Sequence, residues 1–186
     1  MILRFCEWLA ATEGSVNLHE SLYMYPTVES IHVWALVLFF GMAVMLDLRL
    51  VGLAFRTTPV SEVARRLLPW TIAGFAILAI SGTLLFYAIP VRTYHSVFFR
   101  AKVLMLIAAA INVWVFHAGV WLRVADWDTA IPTPTRARVA GWVSLVLWVA
   151  VIFAGRMIAY NWFDCDRQPQ TAFINWAADC TTGAER

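Results

Sequence analysis

Apolar residues fill four long stretches of this chain, and short segments rich in arginine, threonine and proline separate them. We predict membrane spans at residues 28–50, 67–89, 101–122 and 139–162. Each has about the 20 apolar residues that a helix needs to cross a bilayer. Short connections make successive spans antiparallel neighbours. The pattern therefore predicts an all-α fold: a four-helix transmembrane bundle, up-down-up-down, forming one integral membrane domain over residues 1–186.

The two ends of the chain follow a different pattern. Residues 1–11 are too few to span, and Phe5, Trp8 and Leu9 are typical of a short helix lying in the membrane interface. Residues 163–186 form a small hydrophilic tail. Two Thr-Pro pairs, Thr58-Pro59 and Thr133-Pro134, each indicate a helix that begins with a threonine N-cap and a proline at its first position.

Composition agrees with a membrane protein. Of 186 residues, 61% are hydrophobic and only 14% are charged, whereas about a quarter are charged in soluble domains. A formal net charge of +2 gives no reason to expect nucleic acid as a partner. The sequence also contains no Gly-rich phosphate loop and no HExxH motif. The partner that the composition predicts is the lipid bilayer.

Orientation is predicted from the basic residues. The segments after the first and third spans, around Arg65 and Arg136, carry slightly more arginine and lysine than the opposite end, which favours both termini outside the cytoplasm. Cys165 and Cys180 would then lie in an oxidising compartment, where disulfides persist. A bridge between them would close a loop and stabilise the folded state by about 3 kcal/mol in the chain-entropy model. Two free thiols, or a pairing with Cys6, remain open.

Ionisable residues inside the spans are the main functional signal. Glu29, His32 and Asp47 fall on one face of the first span at about 100° per residue. Ionisable groups in a span are costly and mark functional sites. We therefore expect these three side chains to point into the bundle and regard His32 as the leading functional candidate.

Several polar groups are predicted near the outer surface at similar depth. His32 lies about one turn below that surface, Gly82 about two turns below it, and His95 in the outer loop before the third span. Two imidazoles at one depth are typical of a bis-histidine b-type haem, with the metal held by His32 and His95. A glycine at position 82 would let the backbone approach the porphyrin. Arg156 would pair with the propionates, and Tyr94 or Tyr160 would add a hydrogen bond.

Each of these residues also has an ordinary structural alternative. His32 could bond to Glu29 or to a neighbouring helix, and His95 could be a plain loop histidine. Arg156 could contact the outer headgroups. His117 stands apart, about 20 Å lower in the third span, and is expected to bond to a carbonyl. The sequence assigns no catalytic residue.

The segments that carry a family likeness are spread along most of the chain. They are ESLYMYPTVESIHVWALVLFFG, DLRLVGLAFR, RRLLPW, YHSVFFRAKVLMLI and GRMIAY. Together they resemble an uncharacterised family of bacterial inner-membrane proteins with four predicted spans, catalogued as a domain of unknown function. The resemblance implies a multi-pass protein of the bacterial inner (plasma) membrane.

A looser similarity links the chain to copper-resistance D proteins, HemJ-type proteins and b-type membrane cytochromes. His32 and Gly41 match the histidine and glycine of the first span in those proteins, and Lys102 and His117 look like a lysine and histidine of the HemJ third span. This similarity implies haem binding.

We therefore hypothesise a b-type cytochrome-like subunit that binds haem b and passes electrons between a quinol pool and an extracytoplasmic redox partner protein. Two alternatives are kept. One is a copper-handling or transport protein using His19, His32, His95 and Met24. The other is a cofactor-free structural or anchoring subunit. An oligomer or a larger complex is left open.

Overall fold

The computed structural model describes residues 1–160, 163, 165 and 169–180. This part of the chain consists of helices and connecting turns. The α-helices are α1 (Ile2–Ala10), α2 (Glu13–Glu20), α3 (Met24–Val51), α4 (Val60–Ala88), α5 (Pro90–His95), α6 (Val97–Val115), α7 (Thr135–Ile158) and α8 (Ala172–Ala178). Beyond α6 the chain continues as a π-helical turn over Phe116–Val120 and a 3₁₀ stretch over Trp121–Asp126.

Four helices are long and apolar enough to cross a membrane, namely α3, α4, α7 and the continuous helical segment Val97–Asp126. They alternate in direction, so the predicted four-helix transmembrane bundle is confirmed and the chain is a multi-pass membrane protein. The observed helices begin before the predicted spans because each helix extends beyond its apolar stretch, and in α4 and α7 the first turn is polar. In α4, Glu62 forms ion pairs with Arg65 and Arg66 one turn later, an arrangement that stabilises a helix. The fourth predicted span reached residue 162, but α7 ends at Ile158, and residues 161 and 162 lie outside the described part.

The four long helices pack in the order α4, α3, α7, α6. Glycines allow the closest approaches: a Cβ on Gly74 of α4 would lie 2.9 Å from the backbone nitrogen of Phe39 in α3, and one on Gly141 of α7 would lie 3.2 Å from the carbonyl oxygen of Asp47. Small residues at such contacts are typical of membrane helix pairs. In the described part of the chain α4 and α6 approach each other less closely than the neighbouring pairs, and the rings of Phe86 and Phe99 stack between them with centroids 5.6 Å apart. We call this side of the bundle the α4–α6 seam.

The N-terminal helices and the described residues that follow α7 lie at one end of the bundle, which we call the terminal end. α1 packs against α5, and α2 lies against α3 and α4. The Thr12 hydroxyl is 2.7 Å from the Tyr87 hydroxyl, and Ser15 donates to the Tyr87 carbonyl at 2.7 Å. The predicted short N-terminal helix is thus confirmed as α1, and α2 follows it.

The C-terminal segment is also fixed at the terminal end. His95 Nδ1 lies 2.8 Å from the Ala178 carbonyl oxygen, and Arg100 donates to the Ala177 carbonyl at 2.6 Å. A disulfide joins Cys165 to Cys180, which is the first of the pairings that the sequence left open. The described part of the predicted tail therefore includes a helix, α8, that packs on α6.

The opposite end, which we call the loop end, is organised by Arg49. Its side chain is only 1% exposed, and it donates to the carbonyls of Thr58 at 2.7 Å and Asp128 at 3.3 Å. The carboxylate of Asp128 in turn accepts from the backbone N–H of Ser61 at 2.7 Å and caps α4. The predicted Thr58 cap is therefore wrong: Pro59 is the N-cap residue and makes no side-chain bond, because Asp128 from a distant loop satisfies the helix start.

The second Thr-Pro pair behaves in the same way. Pro134 is the N-cap residue of α7 and makes no side-chain capping bond. The hydroxyl of Thr133 donates to the carbonyl of Leu50 at the end of α3. The Thr-Pro pairs therefore predict correctly where the two helices begin. Their threonines do not cap these helices but form hydrogen bonds with residues of α3.

Candidate functional site

His32 is held inside the bundle by a serine of the neighbouring span. Its Nδ1 lies 2.9 Å from Ser81 Oγ, and Ser81 is itself buried. The single hydroxyl hydrogen of Ser81 is donated to the carbonyl of Ile77 at 2.6 Å. Ser81 therefore accepts from the Nδ1–H of His32. In a neutral ring this tautomer leaves the Nε2 lone pair available for a metal or a hydrogen-bond donor.

Gly82 makes room for the imidazole of His32. A Cβ at position 82 would lie 3.3 Å from His32 Cε1 and 3.8 Å from its Nδ1. The sequence predicts that this glycine faces a porphyrin, but in the structure the space beside it is taken by the histidine ring. Its role in the structure is to let α4 approach the imidazole of His32.

Lys102 of α6 supplies a cation on the other side of the site. Its ammonium is close enough to act electrostatically on His32. A Cβ on Gly155 of α7 would lie 3.3 Å from Lys102 Nζ, so this glycine makes room for the ammonium as Gly82 does for the imidazole. No residue in the described part of the chain forms a hydrogen bond or an ion pair with Lys102. All four spans thus contribute to one polar site in the terminal half of the membrane.

His95 is located differently from His32. It ends α5, which packs on α1, α4 and α6, and its Nδ1 bonds to α8 as described above. Lys102 lies five residues into α6, about 7.5 Å along the helix from its start, and His95 precedes that start. The charge of Lys102 acts on the imidazole of His32, and no described contact joins His95 to that ring. His95 as a second metal ligand stays a prediction.

Arg156 and Tyr160 form a local pair on the exposed surface of α7. Arg156 donates to the Tyr160 hydroxyl at 3.3 Å, and its guanidinium carbon lies 5.2 Å from the centre of the ring. Arg156 follows Gly155 directly, so it shares the depth of Lys102 but is solvent- or lipid-exposed. The pair is close to the site without touching His32 in any described contact.

The other ionisable groups of the spans lie elsewhere. Asp47 is 7% exposed and is positioned fifteen residues after His32 on α3, about 22 Å away along the axis. Its carboxyl interacts with Ser144 of α7, and within the described residues its Oδ2 has no partner. Glu29 is exposed, so the expectation that it points into the bundle is wrong. His117 is also exposed and bonds through Nδ1 to the Val113 carbonyl at 2.9 Å, the ordinary role expected of it.

A metal site built from several side chains is not assembled in the described part of the chain. No group of three or more histidine, cysteine, aspartate or glutamate residues there is arranged to hold a metal ion. His19 is paired edge-to-face with Tyr25, and Met24 is exposed. The ligand set that the copper alternative needs is therefore not brought together.

Sequence reasoning did not connect three residues of the site. Ser81, Lys102 and Gly155 acquire their importance only from their neighbours on other helices. Lys102 did carry a detectable signal, because a lysine within a long apolar stretch is costly and therefore unusual. Ser81 and Gly155 are ordinary small residues of membrane helices, and nothing in their local sequence distinguishes them.

Comparison with known proteins defines the chain's relationships. A family model described as a family of unknown function (DUF6644) matches residues 8–161. No curated protein and no solved structure matches the chain. The looser likeness to copper-resistance D, HemJ-type and b-type cytochrome proteins receives no support from these comparisons. Because the matched region covers most of the chain, the protein belongs to the DUF6644 family of unknown function.

Proposed function

We propose that this protein is a membrane redox subunit that binds haem b with His32 as an axial ligand. It would pass electrons between a quinol pool in the membrane and a partner protein at the terminal end. The observation that carries the proposal is the Ser81 hydrogen bond, which leaves Nε2 of a neutral His32 available to a metal. In the part of the chain that the structure describes, Lys102, whose charge acts on His32, has no acceptor. When bound, haem supplies one-electron redox chemistry that this chain's side chains lack.

The arrangement around His32 is the one that metal-binding histidines use. Such a histidine almost always donates its other ring N–H to a neighbouring acceptor, which fixes the tautomer and the orientation of the ring. Ser81 accepts this bond at 2.9 Å, and Gly82 holds α4 against the ring. No described residue bonds to Nε2.

Lys102 supports an acidic ligand at the same site. A cation within a membrane bundle normally pairs with a carboxylate or with backbone carbonyls, and Lys102 has no such partner in the described part of the chain. A haem propionate is a carboxylate that would satisfy it. His32 therefore fits the role of one axial ligand, and Lys102 fits the role of one propionate contact. Arg156, exposed on α7 at the depth of Lys102, would contact the second propionate, with Tyr160 beside it.

The α4–α6 seam supports entry from the lipid phase. Because these two helices approach each other less closely than the neighbouring pairs, a flat apolar cofactor or the head of a quinol could approach His32 from the bilayer beside the stacked rings of Phe86 and Phe99. Small-molecule sites in bundles are typically found between helices in this way.

The proposal includes the bacterial inner membrane, with both termini outside the cytoplasm. The arginines of the loop end favour a cytoplasmic position for that end. The Cys165–Cys180 disulfide at the terminal end favours an oxidising compartment there. Both features are consistent with an extracytoplasmic electron partner.

The test is the visible spectrum of the protein purified in mild detergent from haem-replete cells. We expect a Soret band, and sharpened visible bands after dithionite reduction. His32→Ala should lose the haem because no other described residue of α3 offers a comparable ligand at that position. His117→Ala is the matched control, and it should leave the spectrum unchanged.

Other outcomes separate the alternatives. A change from six-coordinate to five-coordinate haem in His95→Ala would identify His95 as the second ligand. A colourless protein that contains copper would favour the copper-handling alternative. A colourless and metal-free protein would favour the structural subunit. Haem retained in His32→Ala would refute the proposal.

A further inference from the structure

A second polar feature lies at the loop end, far from His32. It is a cleft of about 350 Å³ between the end of α3 and the segment that leads into α7. Arg49, Arg56 and Arg138 line it together with Leu53 and Trp142, and we call it the arginine cleft. It contains no residue of the site described above.

The arginine cleft is positively charged and has no acidic lining residue. Arg49 forms its floor and bonds to two backbone carbonyls rather than to a carboxylate. Arg56 and Arg138 are exposed, and neither guanidinium group has a hydrogen bond or an ion pair with any described residue. The carboxylate of Asp128, which acts electrostatically on Arg49, is already bonded by the backbone N–H and hydroxyl of Ser61. The two exposed guanidinium groups are therefore available to an anion.

The apolar part of the cleft indicates which kind of anion it would bind. Trp142 follows Arg138 by one helical turn on α7, so both lie on the same face with Trp142 deeper in the membrane. Trp142 is 47% exposed and Leu53 is 56% exposed. Tryptophan at this level is typical of the boundary between headgroups and acyl chains. A ligand of the cleft would have an anionic head at the arginines and an apolar body along Trp142.

We propose that the arginine cleft binds the phosphodiester of an anionic phospholipid, with its acyl chains lying along Trp142 and Leu53. Arg56 and Arg138 donate to the phosphate oxygens, which the planar guanidinium group matches well. Basic pockets between membrane helices are known to hold acidic lipid headgroups. A free phosphate compound shares the phosphate chemistry but has no apolar body for Trp142. The inference does not depend on haem binding at His32.

Native mass spectrometry of the delipidated full-length protein in detergent tests the proposal. Phosphatidylglycerol should bind with one molecule per chain at low concentration, and phosphatidylcholine should bind more weakly. Arg56→Gln and Arg138→Gln should each reduce the affinity for phosphatidylglycerol about fivefold, and the double variant about 30-fold, from the contribution of one basic residue near an anionic surface. Arg123→Gln is the matched control, since Arg123 is exposed in the same region but does not line the cleft. It should change the affinity less than twofold.

Three outcomes would overturn the proposal. Equal binding of phosphatidylglycerol and phosphatidylcholine would show that the cleft does not select anionic lipids. An equal loss in Arg123→Gln would show only a diffuse attraction to basic residues. Displacement of the lipid by millimolar glycerol 3-phosphate would make a free phosphate compound, rather than a membrane lipid, the ligand. Circular dichroism spectra of the variants that match the wild type establish that a loss of binding is not a loss of fold.

Discussion

Lys102 gives the sharpest test of the site, because its charge should reduce the stability of the cofactor-free protein. In the described part of the chain its ammonium has neither a hydrogen bond nor an ion pair. Methionine has a similar length and no charge, and it would occupy the same space beside Gly155. We therefore expect Lys102→Met to stabilise the cofactor-free protein while it weakens the binding of an acidic ligand.

The magnitude follows from the position of Lys102. Insertion scales give about 2.5–3.5 kcal/mol for a lysine at the centre of a membrane helix. Lys102 lies five residues into α6, about 7.5 Å from its start, so the cost is expected to be lower, about 1–2 kcal/mol. For a chain of this size, 1 kcal/mol shifts the melting temperature by about 2–4 °C. Lys102→Met should therefore raise the Tm by about 2–8 °C.

Thermal unfolding in detergent, followed by tryptophan fluorescence, measures this shift. Asn112 is the matched control, because it is also a polar residue of α6 but its side chain donates to the Ala140 carbonyl at 3.0 Å. Asn112→Leu should lower the stability by about 1 kcal/mol, since it removes a satisfied hydrogen bond. A fall in the Tm of Lys102→Met comparable to that of Asn112→Leu would mean that Lys102 is bonded within the bundle, and the argument for an acidic ligand would fail.

Two further predictions concern the tautomer of His32 and the orientation of the chain. Ser81→Ala should retain the fold but weaken haem retention, as followed by the visible spectrum. Thr83→Val is the control, because it removes a hydroxyl of α4 that donates to the Ala79 carbonyl of the same helix, and it should leave haem retention unchanged. Equal retention in both variants would show that Ser81 does not orient the ring of His32 for haem. A cysteine introduced at exposed Asn17 should react with an impermeant thiol reagent in intact cells, and one at exposed Thr57 only after permeabilisation. The reverse pattern would show that the termini face the cytoplasm.

The sequence determined the membrane-spanning architecture of this protein. Hydropathy averaged over about 20 residues is a local property, so the number, order and alternating direction of the spans follow from the apolar stretches alone. The short N-terminal helix was likewise evident from its length and aromatic residues. His32 was identified for the same reason, because an ionisable residue in an apolar span is costly wherever its neighbours lie.

Only the tertiary structure decided which helix faces meet. The spans are apolar almost all round, and a helix of this kind has no amphipathic face from which its neighbours can be inferred. The rotation of each helix about its axis depends on close packing at glycines such as Gly74 and Gly141. That rotation brings Ser81 and Lys102 to His32 and leaves Glu29 exposed. The capping of α4 by Asp128 is decided in the same way, because the partners lie 67 residues apart in the chain and local sequence carries no record of such a contact.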